Sequence, residues 1–307
     1  MLRSPHAFSL RQLQYIVAVA DYGGFTRAAE QCHVSQPSLS AQVAQAEEML
    51  GVPIFERGRN GPSPTPAGKV LLARIRDVLV AADALHLEAQ HLVDPFTGTM
   101  RIGVIPTIAP YLLPELVGEL HRQFPKIRFI WVEERTAALA TQLREGRLDA
   151  ILVARLESLS EFVFNDIAWD PFVVAVGLQH ELAQDVAPVT LDELSRHSLL
   201  LLDEGHCFRD QALEFCAQSR PNELDFRATS LSTLAQMVAG GAGITLLPMM
   251  AVSTENRTGN LAIRPIVGRP PGRHISLMWR QSAPGVIALK AIAKAMAAAG
   301  AHAPRAM

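Results

Sequence analysis

The chain has 307 residues, 49% of them hydrophobic and 19% charged, with a formal net charge of −2 at pH 7. That length exceeds what one hydrophobic core usually organises, so two or three domains are expected. The charge balance excludes a chain-wide basic footprint, and any nucleic-acid binding must rest on a local motif.

Residues Met1 to Gln12 hold no continuous apolar run of the signal-peptide kind, and no uncharged apolar stretch is long enough to span a bilayer. A cytoplasmic protein without membrane association is the expectation. Three cysteines, Cys32, Cys207 and Cys216, are too few and too unevenly spaced for a secreted disulfide framework.

From Leu10 to about Leu50 the pattern is helical, with turns at Tyr22-Gly23-Gly24 and Cys32-His33-Val34-Ser35. Residues 51–68 change character, with Gly51, Pro53, Gly58, Gly61, Pro62, Pro64, Pro66 and Gly68 punctuating a short hairpin. Three helices followed by a wing are predicted. Thr26 and Ser35 suit N-cap positions, and Pro37 falls in a first turn, where a missing N–H costs little. That spacing fits a helix-turn-helix whose second helix enters the major groove. Ser35, Gln36, Pro37, Ser38, Ser40 and Gln42 then form the DNA-facing end, with Gln able to pair with adenine and Ser with several bases. Arg57 and Arg59 in the wing are placed for phosphate or minor-groove contact. Between Met1 and Lys69, six basic residues oppose five acidic ones, so a monomer should bind DNA modestly and dimerisation should matter.

Lys69 to Val93 contains no Gly or Pro. Its apolar residues Leu71, Ile75, Val78, Ala82, Leu85, Ala89 and Leu92 alternate at spacings of four and three, which suits two helices packed side by side. Leu71, Ile75, Val78, Ala82 and Leu85 are the expected seam of a homodimer or homotetramer. After a hinge at 94–99, strand and helix patterns alternate with short connections: 101–105, 108–123, 128–133, 136–145 and 148–153. A second series follows at 172–176, 191–195, 199–202, 207–216, 231–239 and 243–247, and 274–279 with 286–298 closes the chain. The alternation predicts an α/β region with a largely parallel sheet, split into two lobes with a cleft between them. The expected division is 1–68 for the winged helix-turn-helix and 69–93 for the linker helix. Residues 100–168 with 273–307 make regulatory lobe I, and 169–272 make lobe II.

The strings Phe25-Thr26-Arg27-Ala28-Ala29-Glu30, Val34-Ser35-Gln36-Pro37-Ser38-Leu39-Ser40, Glu47 to Arg57 and Pro64-Thr65-Pro66-Ala67-Gly68 resemble the N-terminal signature of LysR-type transcriptional regulators. The resemblance implies a winged helix-turn-helix, a dimerising linker helix and a two-lobed effector domain like that of periplasmic binding proteins. Double-stranded operator DNA, a second copy of the chain and RNA polymerase are the expected macromolecular partners, and no enzyme activity is expected. Ala41 and Ala44 depart from the basic or polar residues common on the recognition helix of relatives.

Gly205-His206-Cys207-Phe208-Arg209-Asp210-Gln211-Ala212, followed by Phe215-Cys216, carries the most suggestive chemistry. Thiolates react with peroxide and are favoured at a helix N-terminus or beside a cation, and Cys207 has Arg209 two residues on and His206 adjacent. A sulfenic acid condenses with any thiol that reaches it, yet free cysteines are more often inert buried fillers, and two cysteines alone favour that reading. The stretch is similar to the redox centre of the LysR-type regulators activated by hydrogen peroxide. That resemblance implies Cys207 as the peroxidatic and Cys216 as the resolving cysteine, with Arg209 and Asp210 in support. It also implies peroxide held by Thr107, Thr136, His206 and Cys207. Either threonine has an ordinary alternative as a helix cap. Ser232 stands where such regulators often carry an acidic residue. Cys32 reads as a packing residue. His86 and His91, five apart, share no helical face and no CxxC occurs, so neither metal nor cofactor is expected. Three other readings are a LysR-type regulator with a small organic acid in the cleft, a thiol peroxidase carrying a DNA-binding domain, and a solute-binding protein.

Overall fold

In the computed structural model, which describes residues 8–58, 61–216, 222–268 and 270–300, the chain divides into two units, 1–89 and 90–307. The first unit begins with α1 (Leu10–Tyr22), started by a reciprocal capping box between Ser9 and Gln12 and stopped by Gly23 at φ 63°. Two shorter-spaced helices follow, α2 (Phe25–Gln31) and α3 (Gln36–Leu50). The Ser35 hydroxyl accepts from the Ser38 N–H at 3.4 Å and Pro37 lies in the first turn, as their positions in the sequence predict. Thr26 is no cap: α2 starts one residue earlier, at Phe25, its cap is Gly24, and the Phe25 ring packs edge-on against Phe55 at 6.1 Å. Cys32 ends α2 rather than lying within it and packs half-buried against the core.

Strands β1 (Phe55–Gly58) and β2 (Gly61–Pro64) pair antiparallel as the wing, and α4 (Pro66–His91) follows. The Glu47 carboxylate accepts from the Ile54 and Phe55 N–H groups at 2.6 and 3.0 Å, tying wing to α3. A Cβ at Gly68 would lie 2.0 Å from the Ile54 carbonyl oxygen, so only glycine lets α4 start this close to the wing. Leu13, Ile16, Val19, Leu39, Val43, Ile54, Leu72 and Ile75 fill the core.

The second unit runs β3 (Gly98–Val104), α5 (Ala109–Gln123), β4 (Ile127–Glu133), α6 (Thr136–Arg144), β5 (Ala150–Ala154) and β6 (Val163–Gly177). It continues with α7 (Leu191–Ser195), β7 (Ser198–Leu202), α8 (Cys207–Cys216), β8 (Asn222–Ala228), α9 (Leu231–Ala239) and β9 (Ile244–Pro248). The last elements are α10 (Met249–Glu255), β10 (Leu261–Arg264), β11 (Gly272–Trp279) and α11 (Val286–Gly300). The nine strands order as β4-β3-β5-β11-β6-β9-β7-β8, with β10 also on β6.

The sheet is mixed, which corrects the largely parallel sheet predicted. β3 pairs parallel with β4 and β5, and β7 with β8 and β9, but β11 lies antiparallel to β5 and β6, and β6 antiparallel to β9 and β10. The cause is β6. Its residues 163–171 pair with β11 and its residues 172–177 with β9 and β10, so one strand serves two lobes. Two cores result, one around β3, β5, α5 and α11, the other around β7, β9 and α9.

Candidate functional site

On α3 the side chains of Leu39, Val43 and Ala46 are buried, which turns Gln36, Pro37 and Ser38 outward and leaves Ser40 and Gln42 half-buried beside them. Arg59 lies outside the described residues, as do the side chains of Arg57 and Cys216. His33 holds φ 53° in the turn before α3, a left-handed conformation that a non-glycine residue rarely takes. The predicted α4 seam divides. Ile75 is 6% exposed and belongs to the domain's own core with Leu72, whereas Val78 and Leu85 are 45% and 74% exposed. Leu71 and Ala82 are half-buried.

Three strand ends of the second unit meet at a second site. The turn after β3 supplies Thr107, the turn after β4 supplies Arg135 and Thr136, and the turn after β7 supplies Gly205, His206 and Cys207. These are carboxyl ends of parallel-paired strands, where α/β sheets offer backbone and side chains to ligands. With Ile105 and Pro106 they line a small pocket of about 10 Å³, room for a solute the size of a water molecule. Cys207 opens α8 and is 6% exposed; its side chain packs into the first lobe's core, while Phe208, next in sequence, packs into the second lobe's. The helix start therefore straddles both cores. Gly205 adopts φ +86°, a conformation that favours glycine, and the Arg135 guanidinium packs close over it, 3.2 Å from where a Cβ would lie.

Neither threonine caps a helix. Ile108 precedes α5 and Arg135 precedes α6 without a side-chain capping bond. The Thr107 hydroxyl instead accepts from Arg273 Nη1 at 2.7 Å, and Arg273 Nη2 donates to the Thr107 carbonyl at 2.8 Å. Because an arginine only donates, the hydroxyl hydrogen of Thr107 stays available to the pocket. Arg273 Nε donates to Asp170 at 3.0 Å, and the guanidinium lies 5.7 Å from the Phe208 ring centre. Burial raises the Asp170 carboxyl above the ordinary aspartate range, opposed by Arg273 and the Met250 N–H. Arg273 and Asp170 escaped the sequence reading. No local sequence pattern marks either of them as part of a site.

His206 differs from its predicted part as a neighbouring cation. Burial first, and then the Arg135 charge, lower its pKa against the opposing pull of Asp203, so it is neutral at pH 7. Its Nε2 is buried with no hydrogen-bond partner among the described residues. Arg209 does not line the pocket and donates to the Leu202 carbonyl at 3.2 Å; Asp210 is exposed on the first turn of α8. The cation that lines the pocket is Arg135, which donates to the Glu204 carbonyl at 3.0 Å. Ser232 meets a carboxylate from elsewhere: its hydroxyl donates to Glu255 at 2.9 Å, and Tyr111 donates to the same oxygen at 2.6 Å.

Residues 10–69 match the bacterial regulatory helix-turn-helix family of LysR type, and residues 94–301 match the LysR substrate-binding domain. The chain belongs to the LysR family of bacterial regulators, with the winged helix-turn-helix and two-lobed α/β region of that fold. Within the family it is similar to OxyR. It is 39% identical over 277 residues to the DNA-binding transcriptional dual regulator OxyR of Escherichia coli K-12, covering 90% of each chain. Among solved structures it is similar to a cysteine-to-aspartate variant of full-length OxyR from Pseudomonas aeruginosa, at 35% identity and TM-score 0.78 over 95% of each chain. It is also similar to a cysteine-to-serine variant of Corynebacterium glutamicum OxyR with hydrogen peroxide bound, at 30% identity and TM-score 0.66 over 98% of this chain and 95% of that one.

Proposed function

We propose that this chain is a cytoplasmic, peroxide-responsive transcription regulator that binds operator DNA as a dimer or tetramer and switches by linking Cys207 to Cys216. The observation that carries the proposal is the small pocket of about 10 Å³ on which Thr107, Thr136, His206 and Cys207 converge. An organic acid is too large for it, and hydrogen peroxide, little larger than water, suits it. The relatives' names, hydrogen peroxide-inducible genes activator among them, support the same reading.

In the proposed reaction the Cys207 thiolate attacks one peroxide oxygen. An S–O bond forms, the O–O bond breaks, and the departing hydroxide takes a proton to leave as water. Thr107 and Thr136 hold the two oxygens, since a hydroxyl both donates and accepts. Cys216 then attacks the sulfenic sulfur and expels a second water, leaving the disulfide. Two thiols are oxidised and one peroxide is reduced to two waters.

The helix α8 turns this chemistry into a conformational change. Nine helical steps separate the two cysteines, a rise of about 13.5 Å, and a disulfide needs Cα atoms about 4.4–6.8 Å apart. Closing the bond requires α8 to unwind, and because residues 207 and 208 sit in different cores, unwinding disturbs both lobes. We assign 1–68 to DNA binding, with Ser35, Gln36, Pro37, Ser38, Ser40, Gln42, Arg57 and Arg59 at the DNA, and 69–93 to dimerisation. Residues 100–168 with 273–307, and 169–272, are the sensing lobes, and RNA polymerase is the partner that reads the switch. Nonreducing peptide mapping after one equivalent of hydrogen peroxide tests the proposal: a peptide pair joined through Cys207 and Cys216 supports it, and both cysteines remaining free overturns it.

A further inference from the structure

A second cavity, of about 610 Å³, opens between α8 and the strands β6 and β11, within the size range of small-molecule sites. It shares no residue with the thiol pocket. Gln211, Glu214 and Phe215, at i, i+3 and i+4, present one face of α8 to it. Arg155, Glu157 and Trp169 lie on the opposite side.

We propose that this cavity binds an organic amine in its cationic form. The charges decide the sign. Arg155 is neutralised by Asp166 at 3.0 Å and stacks on Phe164 at 4.9 Å, so its charge is spent locally. Glu157 and Glu214 have no ion-pair partner among the described residues, so the described lining carries two carboxylates that no described cation pairs. Trp169, 43% exposed, adds an aromatic face of the kind that attracts ammonium groups, and Phe215 adds a second ring. The Gln211 amide oxygen is buried without a donor among the described residues, so it can accept from an ammonium N–H without giving up a hydrogen bond to any of them.

The ligand also acts on the switch, an extension that rests on the reading of α8 as the element that unwinds. Gln211, Glu214 and Phe215 share one face only while α8 is helical. An amine held by that face stabilises the helical state and opposes disulfide closure by its differential affinity.

Calorimetric titration of the reduced full-length chain with benzylamine, and separately with benzoate, tests the site. Benzylamine should bind once per chain and benzoate should not. Glu214→Gln and Trp169→Leu, both at exposed positions and each verified by an unchanged unfolding midpoint, should weaken benzylamine by about tenfold. No benzylamine binding, equal binding to both variants, or tighter binding of benzoate overturns the site. With benzylamine at ten times its dissociation constant, peroxide-driven disulfide formation should slow about tenfold. An unchanged rate in a chain that binds benzylamine overturns the coupling. A chain that forms no disulfide at all overturns the switch itself, while the titration still decides the site.

Discussion

Replacing Arg273 by Met while leaving Asp170 in place strands a carboxyl that is 2% exposed and removes the donor that fixes Thr107. Breaking a buried pair from one side costs about 3–5 kcal/mol, so Arg273→Met should lose about that much in denaturant unfolding. Adding Asp170→Asn should recover part of it; a single variant as stable as the parent contradicts the pairing's structural weight. His206 gives a pH signature. Its folded pKa is depressed, so in the window below the unfolded value of about 6.5 the unfolded chain binds the proton first. Stability is thus fully present above that value and is lost as pH falls toward the folded pKa. His180 is lowered too, by burial and by His197, so the contribution of His206 is read as a difference. The parent should lose more stability than His206→Asn between pH 7 and pH 5, and parallel pH profiles would remove His206 from the account. Sequence reading found Thr107, Thr136, His206 and Cys207 through their likeness to known regulators. It missed Arg135, Arg273 and Asp170, because their significance lies in contacts made across 60 residues or more that no local pattern encodes.

The heptad-like spacing along α4 reports two environments that a one-dimensional pattern merges. Ile75 closes the winged domain's core, whereas Val78 and Leu85 remain exposed. Ile75→Ala should therefore cost the first unit about 2–5 kcal/mol of stability. Val78→Glu should leave that stability within about 0.5 kcal/mol and weaken self-association and operator binding together, as sedimentation and footprinting would register. A dimer indifferent to Val78→Glu contradicts the proposed seam. On α3, Gln36→Ala should cost about 1–3 kcal/mol on the preferred operator and far less on random DNA; equal losses on both would remove Gln36 from base readout. Elements with strong periodicity were legible, α5, α9 and α11 among them. The first half of β6 was not, since Asn165, Asp166, Asp170 and Pro171 interrupt any apolar pattern and the sequence offers no strand between 153 and 172. There Asp166 accepts from Ser276 at 2.6 Å and Asp170 from Arg273, tertiary partners that make a polar strand tenable. Missing that half-strand turned a mixed sheet into a parallel one.

At the scale of the molecule, two lobes share a sheet through β6 and β11 and meet again at α8, where adjacent residues Cys207 and Phe208 enter different cores. Tyr111 on α5 and Ser232 on α9 both hold Glu255 on α10, a contact that joins the lobes away from the thiol pocket. The lobes are thus held on one side by side-chain bonds and on the other by a helix that must unwind for a 207–216 disulfide to form. The most direct test of this account is an operator footprint of the parent and of Cys207→Ser, before and after one equivalent of hydrogen peroxide. The account predicts that peroxide changes the parent's footprint and leaves that of Cys207→Ser as it was; a full peroxide response in Cys207→Ser would contradict it.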